Sequence, residues 1–335
     1  MRSVYRIGLV FVGLAAGVAS GCGPATFVVG LSPGGQRLTA TAVERDGKLG
    51  SQRVVIIDVS GLIANQEQAG LFSTGLNPVA SFSEALGAAA ADERVAAVIV
   101  RVNSPGGTVT ASDLMYRELK RFREKSGKPA VVLMMDVAAS GGYYLACAGD
   151  HIVAHPSTIT GSIGVIFQTL SVRPALDRIG VEARALVSGP NKAAGSPLET
   201  LSDGQRQVLQ GLVDRFYADF VAVVRENRTE IGADLWPMVT DGRVFTGRRA
   251  YELGLIDQVG DVRDAFTKAK ALAGISDADL WVYHRPLDYV ATPYSQTLVP
   301  GGGPQTQINL LQVNVERALG AGTAGVYYLW RPEGY

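Results

Sequence analysis

The chain is poor in cysteine, histidine and net charge. Of 335 residues, two are Cys and three are His, and 31 basic residues balance 31 acidic ones. A net charge of zero gives no global field toward nucleic acid or an acidic membrane surface, so no nucleic-acid partner is expected. With histidines only at His151, His155 and His284, candidates for an imidazole base are few. The apolar run from Ile7 to Ala19 stops short of the ~20 residues of a membrane span. Aromatic residues make up only 7%, whereas glycine is plentiful at 40 residues. That balance suits an α/β protein with many tight strand-to-helix turns, and the length suffices for one large domain or two ordinary ones.

The first 22 residues follow an export plan: Arg2 and Arg6, then the uncharged run, then "ASGC". Cys22 in that setting resembles a bacterial lipobox cysteine, with Ala19 where Leu is usual. A lipid-bearing Cys22 is the expectation; an uncleaved anchor and a simple secreted form are the alternatives. Cys147, in the apolar run "YYLACA", then has no partner in the chain and reads as a buried core thiol. The expected organisation is a signal peptide over 1–21, a tether and lead-in over 22–50, a catalytic domain over 51–275 and a C-terminal extension over 276–335 without an assigned role.

Along the chain, "RLTATAVER" offers a short strand, and "RVVIIDVSGLI", "VAAVIVRVNS", "PAVVLMMDVAAS" and "HIVAHP" read as buried strands. Helices are predicted over Val79–Asp92 with Ser81 or Ser83 as N-cap, over "TASDLMYRELKRFREKSGK" with Thr110 or Ser112 near the cap, and over "GGYYLACAG". A long helix follows between Leu201 and Arg228, then two more at Gly247–Leu253 and Val262–Leu272. Strand and helix alternating at this length imply a mostly parallel sheet with right-handed crossovers. The pattern weakens after Ser276, and "GVYYLW" near the end suits a late strand or a docking segment.

Four segments carry chemistry. "NSPGG" at Asn103–Gly107 ends a strand in a rigid turn that can aim backbone N–H groups at a ligand, as an oxyanion hole requires. "AASGG" sets Ser140 at a strand-to-helix turn, where a nucleophile is presented. "TGSIGV" places Ser162 among glycines, and "SGPNKAAGSPLE" places Lys192 among small, uncharged neighbours. Read singly, each is also an ordinary turn. A serine needs a base, and spacing alone keeps a Ser-His-Asp arrangement through His155 open. The lysine alternative makes a physical demand. A lysine of ordinary pKa near 10.4 is neutral in only about one molecule in 2,500 at pH 7, a penalty of about 4.6 kcal/mol that burial largely removes.

Taken together and in order, "RVNSPGG", "ASGGYYLA", "TGSIGV", "KAAGSP" and "DGRVFTG" followed by "ELGLID" resemble the signal peptide peptidase A family, from about Arg53 to Ala273. The resemblance implies an α/β fold shared with Clp protease and the crotonases, built of repeated ββα-type units. It implies a serine-lysine endopeptidase in which Ser140 is the nucleophile, Lys192 the general base and Ser162 the hydroxyl that orients the lysine. The amides of Gly107 and Gly141 form the oxyanion hole, and Asp241, Gly242 and Arg243 fall on a motif read as structural. Serine before lysine in a single copy resembles the short form of the family, which implies a homo-oligomer whose sites are shared between neighbouring subunits. The implied substrates are cleaved signal peptides and other apolar or unfolded segments, with no metal or organic cofactor. The implied location is the outer face of a membrane, held there by Cys22. A crotonase-like acyl-CoA enzyme and an inactive peptide-binding lipoprotein are the competing readings.

Overall fold

The computed structural model describes residues 37–45, 52–66, 77–286, 288, 290–295 and 326–330. The expected signal peptide and Cys22 lie outside them. The elements in chain order are β1 (Thr39–Glu44), β2 (Gln52–Ser60), α1 (Pro78–Ala91), β3 (Val95–Ser104), β4 (Gly106–Thr108), α2 (Val109–Ser126), β5 (Ala130–Ala139), α3 (Gly141–Ala146), β6 (His151–Ala154), β7 (Ile159–Gly161), β8 (Ile166–Phe167), α4 (Arg173–Arg178), α5 (Asp203–Asn227), α6 (Trp236–Val239), β9 (Val244–Thr246), α7 (Gly247–Glu252), β10 (Gln258–Val259), α8 (Val262–Leu272), β11 (Ala278–His284) and β12 (Val326–Leu329).

The main sheet runs β1-β11-β2-β3-β5-β6-β10, with β7 joining β5 and β9 joining β7. The strands from β11 through β10 pair in parallel, and antiparallel β1 and β9 close the edges. The fold is therefore mixed α/β with a mostly parallel sheet, as the alternation of strand and helix predicts. Side chains on a strand alternate between faces, and both faces are buried here. Val54, Ile56, Ile99 and Leu133 pack with Ala265, Phe266 and Ala269 of α8. Val55, Ile57, Val100 and Met134 belong to the larger core that includes Phe82 of α1, Leu119 of α2 and Tyr143 of α3. Each such fully buried aliphatic contributes about 1.5–3 kcal/mol. Among the described residues no helix is long and apolar enough to cross a membrane.

Three expectations shift. The cap of α1 is Asn77, whose side chain accepts from the Val79 and Ala80 amides, rather than Ser81 or Ser83; Pro78 suits the first helical position, which puts the cap just before it. The cap of α2 is Thr108, bonded to the Ala111 amide, rather than Thr110 or Ser112, while Gly127 ends that helix at φ 67°. The sheet also extends past the expected 51–275 domain at both ends. β1 lies in the expected lead-in, and β11, from the expected extension, sits between β1 and β2. The alternation Ala278, Leu280, Val282 buries one face of β11, and Arg53 stacks over Trp281 on the other at 3.9 Å.

A buried ion pair fastens the segment after β11. Arg101 on β3, 2% exposed, donates through Nε and Nη2 to the Asp58 carboxylate on β2, and through Nη1 and Nη2 to the carbonyls of Pro293 and Ser295. Arg101→Met removes the guanidinium from a buried carboxylate. It is expected to cost about 3–5 kcal/mol of unfolding free energy in a denaturant titration, and Asp58→Leu in the same chain is expected to restore most of it.

Candidate active site

β5 changes partner along its length and thereby sets the site. Val131–Met134 pair with β6, whereas Val137–Ala139 pair with β7. Two threonines hold the switch: Thr158 Oγ1 donates to the Met135 carbonyl at 2.6 Å, and Thr160 Oγ1 to the Ala138 carbonyl at 2.7 Å. The chain then leaves the strand at Ser140 and enters α3 at once. Ser140 has φ 53° and ψ −115°, its amide donates to the Gly161 carbonyl, and its carbonyl accepts the Tyr144 amide of the first helical turn.

Among the described residues only two non-glycine residues have positive φ, Ser140 and Ser162, the same two serines singled out by sequence. Such a backbone costs about 1–3 kcal/mol per residue and persists only where the surroundings impose it. Ser162 is held by its amide, which donates to the Arg243 carbonyl, and the Asp241–Arg243 ion pair stiffens that turn. Arg243 keeps the Asp241 carboxyl below the usual carboxylate range by hydrogen-bonding to it. The motif Asp241, Gly242, Arg243 thus positions Ser162, and Ser162, Asp241 and Gly242 line one cavity of about 440 Å³.

Ser140 is 1% exposed, and its Oγ is a buried polar atom without a hydrogen-bond partner among the described residues. Beside it two glycines converge. A Cβ on Gly141 would lie 3.1 Å from the Gly107 amide nitrogen and 2.3 Å from Ser112 Oγ. A Cβ on Gly107 would lie 1.8 Å from the Ile63 carbonyl oxygen. Backbone here approaches so closely that side chains cannot fit. Ile63 clamps the turn, donating its amide to the Gly106 carbonyl and accepting the Thr108 amide, both at 2.9 Å. Ser104 Oγ accepts the Gly106 amide. Sequence reasoning found Gly107 and Gly141 but passed over Ile63 and Ser112; an Ile after a strand and a Ser on a helix carry no mark of such contacts.

Among the described residues, no base touches Ser140. Lys192 is exposed on the loop that follows α4, where its amide donates to the Gly189 carbonyl. His155 is exposed and bonded to Ser157, and His151 is bonded to Gln258 beside Asp257. Burial holds His151 below the ordinary imidazole pKa. His284 is bonded to Thr41 on β1. Cys147 is buried as expected, and burial pushes its thiol up to about 12, away from thiolate chemistry.

Comparison with known proteins bears on this arrangement. A model of peptidase family S49 matches residues 122–276. A protein of Enterococcus faecium, "Putative signal peptide peptidase SppA", is 32% identical over 250 residues, covering 75% of this chain and 72% of that protein. This chain belongs to peptidase family S49. A second relative, "Putative protease slr0021" of Synechocystis sp., is 39% identical over 184 residues, and the match covers 55% of this chain and 65% of that protein. The chain thus spans slightly less than two thirds of that relative. A solved variant of the 1510-N membrane-bound stomatin-specific protease aligns with a TM-score of 0.42 and 16% identity, over 66% of this chain and 86% of that one. Within the S49 match lie Ser140, Ser162, Lys192 and the Asp241–Arg243 turn, and Gly107 precedes it. S49 membership weighs against the acyl-CoA reading of the same residues.

Proposed function

We propose that this S49 chain is a membrane-tethered serine endopeptidase in which Ser140 is the nucleophile, Lys192 the general base, and the Gly107 and Gly141 amides the oxyanion hole. The observation that carries the reading is Ser140 itself: a buried, unbonded hydroxyl on a strained elbow, next to two converging backbone amides. A structural serine in that position would be bonded, since an unsatisfied buried hydroxyl costs about 1–3 kcal/mol. Lys192 takes the Oγ proton as the oxygen attacks a peptide carbonyl and delivers it to the leaving amine; water, deprotonated in the same way, then releases the acyl group. Each oxyanion donor is worth about 3–4 kcal/mol in the transition state.

Lys192 acts from a neighbouring copy in this reading, and the surface around it supports that. Ile179, Val181, Leu186, Val187 and Leu198 on the flanking loop and Val208 and Leu212 on α5 are all exposed. So much apolar surface in one region marks a protein contact, and closing it withdraws the lysine from water, as a neutral amine requires. Ser162, facing the cavity beside the nucleophile, is the hydroxyl that orients the arriving amine. A lipid on Cys22 tethers the chain to the outer face of a membrane. The substrates are signal-peptide remnants and other apolar segments, in keeping with the name of the Enterococcus relative.

Digestion of casein and of a synthetic signal peptide by the full chain tests the reading. Activity is expected in the wild type and lost in both Ser140→Ala and Lys192→Ala. Full activity in Lys192→Ala would return the base to His155, and an inactive wild type would leave a peptide-binding scaffold.

A further inference from the structure

Ser112 is a polar residue in the first turn of α2, and it is 0% exposed. Serine favours caps and turns over helix interiors, and inside a helix its hydroxyl faces water or bonds the carbonyl four residues back. Here Oγ donates to the Thr108 carbonyl at 3.0 Å. Thr108 is the N-cap, whose carbonyl already takes the first bond of the helix, so the bond from the hydroxyl is additional and the helix does not depend on it. The other side of the hydroxyl faces α3. The Cβ position of Gly141 is 2.3 Å from Ser112 Oγ, closer than a real Cβ tolerates, so the oxygen rests on the Gly141 Cα.

The two backbone segments of the site meet at that point. The same Cβ position is 3.1 Å from the Gly107 amide nitrogen, and a Cβ on Gly106 would be 2.8 Å from the Gly141 amide nitrogen. Gly107 is held from behind by its bridge to Ile63. Gly141 is held through its neighbours: the Ser140 amide on the Gly161 carbonyl, and Tyr144 Oη, which donates to Asp113 of α2 at 3.0 Å. Ser112 Oγ is where α2 meets Gly141 itself. Because β4 runs directly into α2, an oxygen fastened to Thr108 moves with the Gly107 segment, and its contact sets the distance to the Gly141 segment. Oxygen suits that task. A Cα–H···O contact closes to about 3.3–3.6 Å, whereas carbon against carbon settles at about 3.5–4.0 Å.

We infer that Ser112 is a positioning residue for the oxyanion hole: its hydroxyl, pinned by the Thr108 carbonyl, is the spacer that fixes the separation of the Gly107 and Gly141 amides. The inference rests on the peptidase reading, which makes those two amides the oxyanion donors. Ser112 acts through Gly141 and does not contact the reacting atoms. A ground-state carbonyl asks little of the two donors, whereas the tetrahedral intermediate needs both to reach one oxygen at once. A changed spacing is therefore felt in kcat and not in KM.

Steady-state kinetics on a quenched fluorogenic peptide with an apolar signal-peptide core, together with inhibition by a peptide boronic acid, test the inference. The boronic acid reports on the hole directly, since Ser140 Oγ bonds to boron and the tetrahedral anion sets an oxygen between the two amides. Ser112→Ala deletes the spacer and is expected to lower kcat about tenfold. Ser112→Val puts a methyl group where the oxygen stood and is expected to lower kcat about 100-fold, the scale of a displacement of about 1 Å in a reacting geometry. KM is expected to stay within about twofold, and boronic acid affinity to fall by the same factor as kcat. Phe122→Leu, which removes buried volume from the same helix away from the donors, is expected to lower the melting temperature and leave kcat unchanged. If Ser112→Val does not fold, Ser112→Ala decides on the same two readouts. Folded Ser112 variants with wild-type kcat and boronic acid affinity, or with a raised KM at unchanged kcat, overturn this inference; a wild type whose activity Ser140→Ala abolishes keeps the peptidase reading intact beside that result. A wild type that neither cleaves the peptide nor binds the boronic acid overturns the peptidase reading and this inference with it.

Discussion

Ser140→Ala is expected to lower peptide turnover by about 10⁴- to 10⁶-fold while leaving the protein as stable as before, or slightly more so. The loss follows from removing the attacking atom of a covalent mechanism, which remaining groups replace poorly. The stability half follows from geometry. Oγ is buried and makes no hydrogen bond among the described residues, so deleting it orphans no partner there and relieves a desolvated hydroxyl. A gain of about 1 kcal/mol, near 2 °C in melting temperature for a chain of this size, is the expected scale. A hydroxyl kept only for structure behaves oppositely, losing stability and leaving catalysis alone. Turnover by casein digestion and melting by calorimetry on the same preparation separate the two. Retained turnover, or a clear drop in melting temperature with activity intact, contradicts the assignment.

Gly107→Ala is the second large effect, and it moves stability and activity together. The new methyl carbon would sit 1.8 Å from the Ile63 carbonyl oxygen, a backbone atom with no rotamer to escape into. The turn must shift, and overpacking of this kind costs about 1–3 kcal/mol or more. The same shift moves the Gly107 amide away from the developing oxyanion, a donor whose loss costs about 10²- to 10³-fold in kcat. A kcat loss with KM nearly unchanged is the signature of a group that acts in the transition state. A folded variant with wild-type kcat would remove Gly107 from the oxyanion hole.

Much of the fold was legible because it is written locally. The runs Val54–Ile57, Val98–Val100 and Val131–Met134 are β-branched or long apolar stretches buried on both faces, and such runs announce a central parallel strand. α5 was legible as the long helix between Leu201 and Arg228, and Ser202 starts it in a capping box with Gln205. β11 was missed because Asp279, Trp281 and Tyr283, on its other face, break the continuous apolar run that marks the central strands, and its burial depends on β1 and β2, some 230 residues away in sequence. β12 was equivocal for the same reason: what holds Val326–Leu329 is pairing with β4 and β8, which no local pattern encodes.

The candidate site divides along the same line. Ser140 and Ser162 stand out in sequence as serines set among small residues, and in structure as the two strained ones. Gly107 is legible from "NSPGG" because only glycine fits there, but the clamp by Ile63 and the contact of Ser112 with Gly141 exist only after folding. Lys192 is the extreme case. Its place in the sequence suggests a base, yet within one chain it is exposed and the Ser140 Oγ has no hydrogen-bond partner among the described residues. In this account the missing contact belongs to the assembly and is encoded by exposed apolar residues such as Leu186 and Leu198.

The central claim is that a nucleophile from one copy and a base from another make one site, and co-assembly tests it most directly. Ser140→Ala and Lys192→Ala chains, each inactive alone and carrying different tags, are co-expressed, purified as mixed oligomers through both tags in turn, and assayed on casein. Random mixing in equal amounts pairs an intact Ser140 with a neighbour's intact Lys192 at about one site in four, so about a quarter of wild-type activity is expected. Mixed oligomers that contain both chains and show no activity would contradict the account and place serine and base within a single chain.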